Sequence, residues 1–424
     1  MYSKKLLDDE ERDLGLRKRL YENSVQIINS PGNIHPDTKE LAYLLLNDSL
    51  SPVSRDNQVK ILRNGEEKFP EVLKDMEAAQ DYIHLEYYIF EDDEIGRRVE
   101  NILIKKVREG VTVRMIYDDF GSRSIRRKLV GRLRSAGVQV YPFHKIRFIT
   151  FANRINYRNH RKIIVIDGRV GFVGGINISD RYINASSRPN QVYWRDTHLR
   201  MEGTGVAYLQ YLFLCDWNFS ARENLQLNEH FFPAIKRPTS AGGKIVQMAS
   251  SGPDSANPSI LFSVIKAINL AKHEVLITTP YLIPGESLKN ALIMSALSGV
   301  DVKILVPRKS DSFLVNTAAR SYYEELMKSD VKIYRYTRGF IHAKTIVIDR
   351  EVGMVGTANM DTRSFDLNFE VNAIIYDRET ANVLAEDFYT DLNSASETDP
   401  VAWMQRPWYK RLVEKVARLV SPLL

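Results

Sequence analysis

A chain of 424 residues, 44% apolar and 26% charged with no low-complexity tract, has a globular composition. It is too long for one ordinary core at roughly 150 residues per domain. The single cysteine, Cys215, excludes an intramolecular disulfide and a cysteine-based zinc site, so the cytosolic side is the default. A net charge of +6 favours an anionic partner, nucleic acid or anionic lipid, without separating the two.

In chain order, residues 1–57 form a flanking segment whose start, "MYSKKLLDDEERDLGLRKRLYE", is too charged for a signal peptide and suits a juxtamembrane helix. A first domain is expected over 58–225. In it an apolar strand ("HLEYYIF"), a helix-length segment and a second strand ("VRMIYDD") make a βαβ pattern, which reads as a buried, largely parallel sheet. The stretch "FHKIRFITFANRINYRNH" interleaves Phe143, Phe148, Phe151 and Tyr157 with Lys145, Arg147, Arg154 and Arg158. It fits a cleft lip dipping into lipid headgroups, or a segment packed over an interface. The longest apolar stretch, "VAYLQYLFLC", is interrupted by Gln210, and no run of 18 or more apolar residues is present to span a bilayer. Residues 226–242 are expected to be a linker, centred on the Pro-, Ser- and Gly-containing "KRPTSAGGK". A second domain follows over 243–392, and 393–424 close the chain. There Trp408, Leu412, Val416 and Leu419 lie at helical spacing, with Arg406, Lys410, Arg411, Lys415 and Arg418 largely elsewhere on the wheel. That pattern suits an interfacial helix on anionic lipid, or a terminal helix docked on its own domain.

The two domains are copies. His160, Lys162, Asp167, Gly174 and Asn177 recur 182 positions on as His342, Lys344, Asp349, Gly356 and Asn359, together with several intervening apolar residues. Residues i and i+2 of a strand share a face, so each histidine points the same way as its lysine. Asp167 and Asp349 have the opposite parity and are expected to be structural carboxylates near the strand end. If the halves pack about a pseudo-twofold axis, both His/Lys pairs meet in one cleft. Two imidazoles and two ammoniums suit a phosphodiester: one neutral histidine attacks phosphorus, and the other, protonated, serves the leaving and incoming oxygens. The lysines, with the amides of Asn177 and Asn359, would hold the phosphate oxygens. This chemistry calls for no cofactor, and no carboxylate cluster in the sequence demands a metal. A nucleophilic histidine needs its other nitrogen held by an acceptor. Candidates are Asp196, 36 residues after His160, and Glu370, 28 after His342, each read as serving the histidine it follows. A surface salt bridge is the alternative for both.

H-x-K-x₄-D-x₆-G-x₂-N in duplicate resembles the signature of the phospholipase D superfamily. Beyond it, "HLEYYIF", "VRMIYDDFGS", "RINYRNHRKIIVIDG", "WRDTHLRMEG", "LQYLFLCDW", "TPYLIP" and "HAKTIVIDREVGMVGTANMDTRSFDLNFEVN" are similar to bacterial cardiolipin synthases, from about residue 58 to the C-terminus. The resemblance implies two α/β lobes packed pseudo-twofold around a shared cleft. It implies a ping-pong transfer in which one phosphatidylglycerol gives its phosphatidyl group to a histidine and releases glycerol. A second phosphatidylglycerol then attacks to give cardiolipin. It also implies Asp196 and Glu370 as orienting acids, with His160 as nucleophile and His342 as acid/base, roles that symmetry could exchange. Many such synthases carry two N-terminal transmembrane helices, which this sequence does not contain. It either starts just after them or binds the cytoplasmic face of the cell membrane peripherally. An anionic phospholipid membrane is the expected partner, nucleic acid is not, and a homo-oligomer is compatible with the sequence. The competing functions are a phosphodiesterase or nuclease of the same superfamily, a transphosphatidylase using another headgroup, and an inert lipid-binding scaffold.

Overall fold

The chain is described by a computed structural model covering residues 10–143, 157–184, 191–233 and 243–419. Helices α1 (Glu10–Asn29) and α2 (Lys39–Ser49) come first. The first lobe then runs β1 (Ser54–Arg63), α3 (Asn64–Ala78), β2 (Tyr82–Tyr87), α4 (Glu94–Arg108), β3 (Thr112–Asp118), α5 (Lys128–Ser135), β4 (Gln139–Phe143), β5 (Arg158–Asn159), β6 (Lys162–Ile166), β7 (Val170–Gly174), β8 (Tyr193–Arg195), β9 (Thr197–Glu202) and α6 (Val206–Ala221). The second repeats the plan with β10 (Lys244–Ser251), α7 (Ser259–Leu270), β11 (Glu274–Thr278), β12 (Leu282–Ile283), α8 (Gly285–Leu297), β13 (Asp301–Pro307), α9 (Phe313–Lys328), β14 (Lys332–Tyr336), β15 (Gly339–Ile341), β16 (Thr345–Ile348), β17 (Val352–Gly356), β18 (Met360–Asp361), α10 (Thr362–Asp366), β19 (Asn368–Tyr376) and α11 (Arg378–Leu392). The chain closes with β20 (Ala395–Glu397), α12 (Pro400–Met404) and α13 (Trp408–Leu419).

The two lobes share one sheet, in the order β20-β14-β13-β11-β16-β17-β19-β10-β1-β9-β7-β6-β2-β3-β4. The seam is the antiparallel pair β1–β10. The expectation of a largely parallel sheet is corrected here. Among the described residues of this sheet, parallel pairing is confined to β2–β3–β4, β11–β13–β14 and the short β5–β19 pair, while β6, β7, β16 and β17, which carry the repeated motif, are antiparallel to their neighbours. The cause is local. Three residues, Asp167 to Arg169, join β6 to β7, which suffices for a hairpin but not for a parallel crossover.

Asp167 and Asp349 sit in those hairpin turns with φ of 52° and 48°, a left-handed conformation that aspartate tolerates better than most residues. The Asp167 carboxylate accepts backbone N–H bonds from Gln80, Asp81 and Tyr82, each at 2.9 Å. Asp349 does the same for Lys272, His273 and Glu274 at 2.7–2.8 Å. Each therefore pins the start of the neighbouring antiparallel strand, β2 or β11, to the motif hairpin.

Helices cover both faces of the sheet. One apolar cluster joins α6 (Leu209, Phe213, Trp217) and α11 (Ala381, Leu384, Phe388) with sheet residues of both lobes, Ile163, Val173 and Leu199 with Val246, Val371 and Ile375. On the other face, one cluster packs α3, α4 and α5 under the first lobe, and another packs α7, α8 and α9 under the second. Ile28, Leu41 and Leu45 belong to this last cluster, so the segment that precedes the first lobe in sequence is built into the second. Cys215 is buried. At the other end of the chain β20 extends the sheet beside β14, and α13 lies on α9. Most of the expected cleft lip (144–156) and most of the linker (234–242) lie outside the described residues. No helix among the described residues is long and apolar enough to cross a membrane.

Candidate active site

Two short parallel strand pairs, apart from the main antiparallel arrangement, bring the motifs together. β15 pairs with β8, setting Ile341 opposite Arg195, and β19 pairs with β5, setting Phe369 opposite Asn159. The residues that follow, His342 beside Asp196 and His160 beside Glu370, are thereby forced into contact across the lobe boundary. Backbone bonds fix the meeting: His342 N donates to Arg195 O at 2.7 Å and His160 N to Phe369 O at 2.9 Å.

His342 Nδ1 lies 2.7 Å from Asp196 Oδ2, and His160 Nδ1 lies 2.9 Å from Glu370 Oε1. The pairing expected from the sequence, each acid with the histidine it follows, is therefore crossed. Each lobe supplies the carboxylate for the other lobe's imidazole. Both acids are fully buried, and the histidine side chains keep 15% (His160) and 11% (His342) of their surface exposed. With Nδ1 facing the acid, the atom left for substrate is Nε2.

Lys162, the first residue of β6, and Lys344, just before β16, stand two positions beyond the histidines. Lys162 Nζ donates to the carbonyl of His160; Lys344 Nζ donates to the carbonyl of His342 and lies 3.1 Å from its Nδ1. Burial pushes His160 and His342 down to about 4, helped in each case by the lysine of the same motif and opposed by the carboxylate. Burial also lowers Lys162 to about 7 and Lys344 to about 8, again against the pull of the acids. Neutral imidazoles and ammoniums that give up protons easily therefore line the cleft. An anion there would reverse both tendencies.

Asn177 and Asn359 each already hold a partner through the side-chain amide. Asn177 Oδ1 accepts from Ile89 N at 3.1 Å, and its Nδ2 donates to Tyr182 Oη at 2.8 Å. The Asn359 side chain bonds Asp361, whose carboxyl is pushed up to about 6 chiefly by burial. Both asparagines brace the turn after the motif strand, because that turn must cross close under the opposite strand. Gly174 has a φ of +150° and faces His198, where a side chain would strike the backbone; Gly356 faces Asn372 in the same way. Gly175 lies against the Asp196 carboxylate with no room for a Cβ.

The aromatic walls of the cleft were not singled out in the sequence. The Tyr88 ring centroid lies 4.3 Å from that of His160, and that of Trp194 5.4 Å from that of His342. The only sequence signals were the doubled tyrosine of "HLEYYIF" and the tryptophan two before Asp196.

Two duplicated lobes that present paired His-x-Lys elements to one cleft, each histidine backed by a carboxylate, define a phospholipase D-like protein. The family profile described as "Cardiolipin synthase, PLD-like domain" matches residues 72–197 and 264–392. A cardiolipin synthase of Geobacillus thermodenitrificans is 44% identical over 389 residues, 92% of this chain and 77% of that protein. The major cardiolipin synthase ClsA of Bacillus subtilis is 43% identical over 389 residues, 92% of this chain and 80% of that protein. The solved phosphatidylserine synthase of Haemophilus influenzae superposes with a TM-score of 0.66 at 15% identity, covering 91% of this chain and 100% of that one, which supports the fold. The chain belongs to the cardiolipin synthase family.

Proposed function

We propose that the crossed dyads run a two-step phosphatidyl transfer from one phosphatidylglycerol to another. The enzyme class, a phosphatidyltransferase that makes cardiolipin, follows from family membership at 42–44% identity over at least 92% of the chain. His160 Nε2 attacks the phosphorus of the first lipid while protonated His342 gives its proton to the departing glycerol oxygen. The P–O bond breaks, glycerol leaves, and a phosphatidyl–His160 bond remains. Neutral His342 then takes the proton from the headgroup hydroxyl of the second phosphatidylglycerol. That oxygen attacks phosphorus, the P–N bond breaks, and cardiolipin is released. The resting imidazoles are neutral, which suits the nucleophile. His342 acquires its proton as the anionic phosphodiester enters and offsets the lysines. Lys162 and Lys344 face the non-bridging oxygens, where charge grows in the transition state. Asp167 and Asp349 have a structural part, and Asn177 and Asn359 hold the turns rather than the phosphate.

The observation that carries this reading is the pair of Nδ1–carboxylate contacts in one cleft, which leaves two Nε2 atoms and two ammoniums for a single phosphodiester. The lipid is met at an anionic membrane, with the described chain peripheral on its cytoplasmic side. Incubating the full chain with phosphatidylglycerol vesicles in EDTA should give cardiolipin and glycerol in equal amounts by mass spectrometry; phosphatidic acid alone would make it a hydrolase. In a His342→Ala protein, brief exposure should leave a phosphatidyl adduct on His160, sought in an alkaline digest because phosphohistidine is acid-labile. An adduct found only on His342, in a His160→Ala protein, would exchange the two roles.

A further inference from the structure

α13 is docked inside out for a helix that only completes the second lobe. Its inward face is polar. Glu414 and Ala417 are buried, Arg411 pairs with Glu324 at 3.2 Å, and Arg406 pairs with Glu414 at 2.7 Å. Arg418 pairs with Glu325 and, at 3.3 Å, with Glu286, and stands 4.3 Å over the Tyr322 ring. Its outward face is apolar: Trp408, Tyr409, Leu412, Val413, Val416 and Leu419 are each at least 50% exposed, and Leu419 reaches 80%. At 100° per residue these six fill a sector opposite the docked one. Lys415 stands at one border of it and Lys410, exposed in the first turn, lies beyond the other; neither pairs with a carboxylate among the described residues.

We propose that this outward face of α13 is a docking surface for the interfacial layer of an anionic phospholipid bilayer. Tryptophan, tyrosine and aliphatic side chains bordered by lysines match the apolar-to-anionic boundary of such a surface. Three of the five basic residues at this end of the chain are spent holding the helix in place. It therefore meets the membrane already folded, without the ordering entropy of a free tail. Its position fits as well. Glu286, which Arg418 reaches, lies in the first turn of α8, directly after β12; β12 pairs with β18, which follows Asn359. The C-terminal end of α13 is thus tied to the first turn of α8, in the lobe that carries His342 and Lys344.

The proposal rests on the lipid-substrate reading above, and the two fail differently. The full chain is cosedimented with vesicles of phosphatidylcholine alone and of phosphatidylcholine with phosphatidylglycerol, and its turnover is measured on those vesicles and on monomeric short-chain phosphatidylglycerol. Leu412→Glu/Val416→Glu should lose at least tenfold in anionic-vesicle partition and in vesicle turnover, with short-chain turnover unchanged. Lys410→Glu/Lys415→Glu should lose partition mainly at low salt. Leu297→Glu, at the far end of α8, should match wild type. Undiminished vesicle binding in the first variant overturns the proposal, and so does a variant that only converts a dimer to monomers. Vesicle binding lost in that variant while wild type turns over neither lipid would support the surface and overturn the reaction.

A second, independent observation is that the dyads are not supported alike. Asn64, at the start of α3, bonds both the backbone C=O and N–H of Asp196 at 2.9 Å. One turn on, Lys68 is fully buried; its Nζ donates to Ile176 O at 2.8 Å and stands 4.8 Å over the Tyr87 ring, with no carboxylate in pairing range among the described residues. His198 is buried beside it with both ring nitrogens unpartnered. Counting from the Asp167 and Asp349 anchor points and along the paired strands, Ile260, Thr357, Asn372 and Glu370 correspond to Lys68, Gly175, His198 and Asp196 of the first lobe. We infer that Lys68 is a positioning residue for the Asp196–His342 dyad. Its hold on Ile176 keeps the glycine turn closed against Asp196, and its amine adds a cation on one side only.

The charged groups facing Lys68 are Asp196 and Lys162, with His198 close by; those facing His342 are Lys344, Asp196 and Lys162. Lys68→Met removes a buried amine but leaves Ile176 O without its donor, so these effects on stability oppose each other, while kcat of the folded protein should drop at least tenfold. The NMR titration of His342 should move to higher pH while that of His160 stays put. Unchanged kcat, or equal shifts at both histidines, would overturn the assignment.

Discussion

Four titratable groups buried in one cleft give the site a pH signature. His160 and His342 sit at about 4, Lys162 at about 7 and Lys344 at about 8, each below its ordinary range. For a base lowered by folding, the unfolded chain takes up the proton first as pH falls. The site therefore subtracts stability from about pH 10 down to 7 through the lysines, and from about 6.5 down to 4 through the histidines. Lys162→Met should abolish transfer and raise the melting temperature, by about 1 °C per kcal/mol gained for a chain of this length that unfolds in one transition. Calorimetry should find the gain larger at pH 7 than at pH 10; an equal gain would mean that charge is not the cause. The crossing of the dyads has its own test. Asp196→Asn should cut kcat steeply, by analogy with the roughly 10⁴-fold loss for the equivalent change in a Ser-His-Asp triad. In a double-mutant cycle on stability, Asp196 should couple to His342 and not to His160. Coupling to His160 instead would restore the pairing within one lobe.

At the scale of elements, the motif hairpin is held by one aspartate at its turn rather than by its histidine end. Asp349 satisfies three backbone donors at the head of β11, and Asp167 three at the head of β2. Asp349→Asn keeps a side chain tolerant of the left-handed turn but loses the charge-assisted acceptor. It should destabilise by about 1–3 kcal/mol with little change in kcat of the folded enzyme, read by denaturant titration beside steady-state assay. A large fall in kcat at unchanged stability would move this residue into the chemistry.

For the whole molecule, the lobes share one sheet and one apolar cluster. The β1–β10 seam makes the sheet continuous, and the apolar cluster under α6 and α11 draws on both lobes. Unfolding should therefore be a single transition, with the fluorescence of Trp217 in the first lobe and Trp403 near the C-terminus changing at the same denaturant concentration in single-tryptophan proteins. Separated midpoints would mean that the lobes fold independently and only dock.

The duplication, the α/β class, the His-x-Lys pairs and the two candidate acids were legible in the sequence, because apolar alternation and a repeat at a fixed offset are local properties; that both histidines fall in the gaps just before their strands was not. The aspartates at positive φ were legible only as an opposite parity. What the sequence left open was every choice made between the halves. Spacing along the chain favoured Asp196 with His160, but two parallel strand pairs across the boundary, β8–β15 and β5–β19, exchanged the acids. A symmetric repeat is equally consistent with either arrangement. The same holds for α13. Helical periodicity showed an apolar and a basic stripe, yet only the carboxylates of α8 and α9, distant in sequence, decided that the basic side would turn inward and leave the apolar side facing out.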